Sequence, residues 1–177
     1  MKIKIPVIVF LLLILYGCYS PKYIVATQSD LHRTDIEKSM INYIPLDDKY
    51  LENSLILDST YSLLKSKNFY RLENYVEHLK QSNVTSPDFY LANVFSAIST
   101  QNYSEALSAL NHITDSEYAL LVQLLTIDLK YETDRTKNNI NFPAYLKQYQ
   151  KLVDSYPDNL LLKRIVAIRL RYLRYNY

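Results

Sequence analysis

The chain has 177 residues, with 20 Lys and Arg against 18 Asp and Glu, for a formal net charge of +2. So even a balance leaves no basic field for a nucleic-acid backbone. Nearly half of the residues, 49 %, are apolar, so one domain with a real core is within reach.

The N-terminus opens on Lys2 and Lys4, followed by an apolar run from Ile5 to Tyr16 that only Pro6 interrupts. A run this short falls below the roughly twenty residues a spanning helix needs. A basic start, a short apolar stretch and a small residue before a cut describe a secretory signal peptide, with cleavage expected after Gly17. Gly17 is the only glycine and Cys18 the only cysteine. A lone cysteine in an exported chain has no internal disulfide partner and needs another role. An uncleaved anchor, or a signal peptide followed by an incidental cysteine, remains the alternative. Losing residues 1–17 removes Lys2 and Lys4, so positives fall from 20 to 18 and the remainder is neutral.

Leu15-Tyr16-Gly17-Cys18 resembles the lipobox of bacterial lipoproteins, although Tyr16 stands where a small residue is usual. The resemblance implies a diacylglyceryl group on the Cys18 thiol and an acyl chain such as palmitate on its amine. Several chains supply the two signals that stable anchoring takes. Tyr19 after the cysteine, where an Asp would favour retention at the inner membrane, implies the outer membrane. The absence of an acidic run there implies a periplasm-facing body.

Residues 18–46 read as a lipidated tether. Within it Thr34-Asp35-Ile36-Glu37 fits a capping box, and Ile36, Met40 and Ile44 share one helical face, which predicts a short helix ending near Pro45. The body is expected over 47–177. Without glycine it has no ready source of positive φ, which argues for helices joined by turns of Asn, Asp and Pro.

The body repeats. Asn68–Leu79 and Asn102–Ile113 place apolar residues at matching positions 34 apart: Phe69 with Tyr103, Leu72 with Ala106, Val76 with Leu110, Leu79 with Ile113. Phe142, Tyr145, Tyr149 and Leu152 form a third copy 39 further on, with the extra residues assigned to a polar loop over Glu132–Asn141. Before each copy lies a predicted helix: Leu51–Ser66, then Pro87–Thr100 with Ser86 as N-cap, then Ser116–Tyr131. A final helix is expected over Leu160–Tyr175.

Helix pairs at a period of 34 resemble the tetratricopeptide repeat. Tyr103-Ser104-Glu105-Ala106-Leu107 and Tyr156-Pro157-Asp158-Asn159 carry the likeness. It implies an all-α fold: a right-handed α-solenoid of about three repeat-like helix pairs with a C-terminal capping helix. A plain helical bundle is the alternative. Thr60, Val94 and Asp128 occupy the position where that family places a small residue, so the helices are expected to stand further apart.

In that register Leu57, Tyr61, Leu91, Phe95, Leu125 and Leu129 line the concave surface, where the family binds peptides or helices. They are the expected partner groove, with coverage by the tether or the repeats as the alternative. The last helix gives a second expected partner surface in Arg164, Arg171 and Arg174, beside Lys163. Arg169 falls among apolar neighbours, and its stem is expected to pack while its head reaches water. His32, His78 and His112 have no metal-like spacing, and His78 and His112 are themselves one repeat apart. Asp47-Asp48 is expected to begin a helix. Nothing resembles a nucleophile with its base, a phosphate loop or a carboxylate pair. The expected role is therefore a non-enzymatic adaptor with no cofactor beyond the lipid, resembling accessory lipoproteins of secretion systems, the type VI kind among them. Outer-membrane protein assembly, pilus biogenesis and nutrient capture are the competing roles.

Overall fold

The computed structural model describes residues 36, 40–47, 49–52 and 54–175; at 51 and 172–175 the backbone alone is described. Every regular element among these residues is helical. They are α1 (Lys49–Glu52), α2 (Leu55–Lys65), α3 (Phe69–Gln81), α4 (Pro87–Ser99), α5 (Tyr103–Leu110), α6 (Ala119–Thr136), α7 (Phe142–Ser155) and α8 (Leu160–Tyr175). Short 3-10 turns precede α1, at Met40–Asn42 and Ile44–Leu46, and another at Ser116–Tyr118 leads into α6. Each helix from α1 onward packs on the next, and α2 also packs on α4.

The ends of these helices follow from side-chain chemistry. Ser54, Asn68, Ser86, Asn102, Asn141 and Asn159 each accept a hydrogen bond from a backbone N–H three residues on, relieving one of the unpaired donors of a first turn. Ser54 explains one departure from expectation. It starts a new helix inside the predicted Leu51–Ser66 segment, which divides into α1 and α2.

Four of the C-terminal ends, those of α2, α3, α4 and α6, solve the missing-glycine problem in the same way. Lys67, Asn83, Gln101 and Asn138 take left-handed φ values of 54°, 55°, 60° and 53°. At each, two backbone bonds reach back into the helix, as from Lys67 N–H to Leu64 O and Asn68 N–H to Leu63 O. This is the Schellman arrangement, which usually uses glycine at that position. Lys67 and Gln101 lie 34 residues apart, and each is followed by the asparagine that caps the next helix. The repeat is thus visible in the turn: one residue ends a helix and the next begins another.

Two further expectations change. The first half of the polar loop predicted over Glu132–Asn141 is helix, because α6 runs on through Thr136. Glu132 is buried there and accepts from Arg135 Nε at 2.7 Å, while Tyr145 donates to Asp134 at 2.6 Å. The described part of the segment expected as a tether with a short helix, residues 36 and 40–46, packs with the helices that follow. Ile36, Met40, Tyr43, Ile44, Leu46 and Tyr50 belong to the same core as the helices, within the second of two compact units, Thr34–Tyr177. Ile36, Met40 and Ile44 do share a face, and it is buried. No helix among the described residues is long and apolar enough to cross a membrane.

Candidate functional site

Five of the six residues expected to line an open groove, Leu57, Leu91, Phe95, Leu125 and Leu129, are 0 % exposed, and Tyr61 is half-buried against the same core. The open groove is therefore corrected. Ile36, Met40, Tyr43, Ile44, Leu46 and Tyr50 lie in this core, with the Met40–Asn42 turn against α2 and the Tyr43 ring 6.3 Å from Phe95. The physical reason is that a face of Leu and Phe gains by leaving water, at about 25 cal/mol per Å². The neighbouring helices and the residues before α1 together cover it.

Behind that surface sits an ionic cluster. Asp128, on α6, is 2 % exposed, and Arg169, on α8, is 7 % exposed. Tyr43 and Tyr149 donate their phenolic hydrogens to the two carboxylate oxygens of Asp128, one to each. Arg169 Nη2 donates to Tyr43 Oη at 2.7 Å and to Asp128 Oδ2 at 3.3 Å. A buried carboxylate is tolerable only when its lone pairs are satisfied and its charge is met, and here both conditions hold. Burial pushes the Tyr43 and Tyr149 phenols well above the ordinary tyrosine range, and the adjacent Asp128 carboxylate adds to the shift. For Arg169 burial works against the charge, but Asp128 and the two phenols outweigh it and hold its pKa well above the usual guanidinium value. The expectation that the head of Arg169 reaches water is therefore overturned: it pairs inside.

The cluster joins four parts of the chain: the segment before α1, α6, α7 and α8. Asn159 makes a second such link. Its Nδ2 donates to Leu46 O at 3.1 Å while its Oδ1 caps α8 through Leu162 N–H at 2.8 Å. Sequence reasoning singled out Asp128 as too large for its repeat position and Arg169 as too polar for its neighbours. It did not put the two together. The signal was that two opposite charges each stood alone in apolar surroundings.

The second expected surface is open. Lys163, Arg164 and Arg171 are exposed on α8. Arg174 lies on the same helix, with its side chain outside the described residues, as are Cys18 and His32 altogether. His78 is exposed on α3; His112 lies in the turn after α5 rather than on a helix, stacked on Tyr90 at 4.7 Å. Among the described residues no three His, Cys, Asp or Glu converge as a metal site. A groove of about 340 Å³ runs between α3, α4 and α5, lined mainly by polar groups including Glu73, Asn74, Glu77, Asn93 and Glu105, with Tyr70 at its side. A scan against protein-family models, a search of curated proteins and a search of solved structures each return no match.

Proposed function

We propose that this protein is a lipid-anchored adaptor. In this reading the body is a tetratricopeptide-like α-solenoid of three helix pairs with a capping helix. Cys18 holds it at the outer membrane, the body faces the periplasm, and it binds protein subunits of an envelope assembly, as an accessory component of a secretion system of the type VI kind. The observation that supports the reading best is that the helices share their core with Ile36, Met40, Tyr43, Ile44, Leu46 and Tyr50, residues that precede α2, and that Tyr43 reaches a buried acid. A fold that holds its own segment this way is built to hold chain, not to turn over a small substrate. The site richest in perturbed groups is sealed from solvent, which fits a structural use of its chemistry.

With the inner surface taken, partners are left the outer faces, among them the α3–α5 groove and the Tyr70 ring, which is 74 % exposed. The same groove favours a second reading, capture of a small ligand, because its lining is polar and convergent rather than apolar. A photo-crosslinking residue at Tyr70, in cells of the native host, separates the two. An envelope protein crosslinked there supports the adaptor. Labelling by a small cationic ligand with no protein adduct would favour capture. In parallel, Cys18→Ser is expected to move the body from the membrane to the soluble fraction and to abolish palmitate labelling. Retention of Cys18→Ser in membranes would remove the anchor.

A further inference from the structure

We propose that the outward face of α8 is a docking surface for anionic phospholipid headgroups. The helix carries no Asp or Glu over its 16 residues. At about 100° per residue, Leu160, Lys163, Arg164, Ala167, Ile168 and Arg171 fall within an arc of about 140°. Every one of the six is exposed, with Leu160 at 77 % and Ile168 at 47 %. Arg169 lies on the opposite side, in the buried cluster. Two chemistries therefore share one open strip: cations, and two of the large apolar side chains left in water. Ile168 stands a turn from Arg164 on one side and Arg171 on the other.

A flat anionic membrane matches both at once. Headgroup phosphates meet guanidinium and ammonium groups, while an apolar side chain dips to the acyl boundary between them. An acidic protein surface would answer the charges and leave Leu160 and Ile168 without a counterpart. No helix follows α8 among the described residues to cover the strip. The docking builds on the membrane-side placement proposed above, but it involves a different part of the chain. It would lay the body down on the bilayer rather than leave it free at the end of its anchor.

The chain has no tryptophan, so Ile168→Trp gives a fluorophore at the strip and nowhere else. The full chain carrying this substitution is mixed with vesicles of phosphatidylcholine alone, or of phosphatidylcholine with phosphatidylglycerol. Flotation on the neutral vesicles reads the anchor; Trp emission reads the strip. A blue shift on the phosphatidylglycerol vesicles alone, reversed by salt, is expected, because exposed charge attraction decays within about 10 Å at 0.1 M ionic strength. Adding Arg164→Glu and Arg171→Glu should weaken the response on the order of twenty-fold or more, at about fivefold per cation. These residues are exposed, so circular dichroism should be unchanged. No shift on anionic vesicles overturns the proposal, as does an equal shift on neutral ones. A shift produced only by acidic protein, and not by vesicles, would overturn it in favour of a protein partner. Failure to float with an intact anionic shift would sink the anchor and keep the strip.

Discussion

At the residue scale the centre of the protein is a single carboxylate. Asp128 receives two phenolic hydrogens and a guanidinium in a place water does not reach. Removing one partner of such a pair strands the other, which typically costs about 3–5 kcal/mol. Arg169→Met is therefore expected to lower unfolding stability by about that much in a urea titration. Joining it to Asp128→Leu should recover much of the loss, because no charge is then left buried. Single variants within about 0.5 kcal/mol of the parent would show that water reaches the cluster after all. The tyrosines give a pH signature. Burial and Asp128 raise the pKa of Tyr43 and Tyr149, so above about pH 10 the folded state keeps protons that the unfolded state loses. Their contribution is complete below pH 10 and declines above it, by about 1.4 kcal/mol per pH unit for each phenol. Tyr149→Phe should make the alkaline decline shallower when urea midpoints are compared from pH 9 to 12. Two of these residues were legible as oddities, but their union was not. Spacing along a chain does not say which solitary charges meet across 41 residues.

At the scale of the element the sequence was most informative. The Pro87 helix with its Ser86 cap and the final helix over Leu160–Tyr175 lie where spacing and capping put them, to within a residue. What misled was the treatment of turns. Asn, Asp and Pro were expected to end the helices, yet Lys67 and Gln101 adopt left-handed backbones as Asn83 and Asn138 do. The cost to a residue with a Cβ is about 1 kcal/mol, small against the burial each helix gains on either side, so tertiary packing overrides the local preference. Gln101→Gly is expected to stabilise the protein by about 0.5–1 kcal/mol. Gln101→Val should destabilise by at least as much, since a branched side chain fits that backbone worst. Thermal midpoints measured side by side would check both, and a Gly variant that melts lower would count against strain at this turn. The break at Ser54 and the extension of α6 through Thr136 escaped notice for a related reason: both depend on side-chain hydrogen bonds, not on apolar period.

On the scale of the whole molecule, the solenoid proposed above would by itself be held by neighbours alone, each unit nearly independent of distant ones. Here contacts of long reach are added. Tyr43 bonds across 85 residues to Asp128 and across 126 to Arg169, and Asn159 reaches back across 113 to Leu46. The expected result is one cooperative unfolding transition, with amide protection in α2, α6 and α8 lost together in native-state hydrogen exchange. Stepwise loss from either end would mean that the long contacts contribute little. The all-helical class was legible from the missing glycine and the period of 34. The burial of Ile36, Met40, Tyr43, Ile44 and Leu46, read as part of a tether with a short helix, was not. Their fit is to a surface assembled from α2, α4 and α6, which no local window contains.

The position of Arg169 has a consequence for how the chain is made. Synthesis runs from the N-terminus, so Asp128 emerges long before the cation that neutralises it, and Tyr43 earlier still. Until the last helix is available, closing the core would bury a lone negative charge. Until Arg169 has emerged, a nascent chain is therefore expected to stay open around Asp128. A chain stopped just short of residue 169 should accordingly stay sensitive to protease, and one that includes α8 should not.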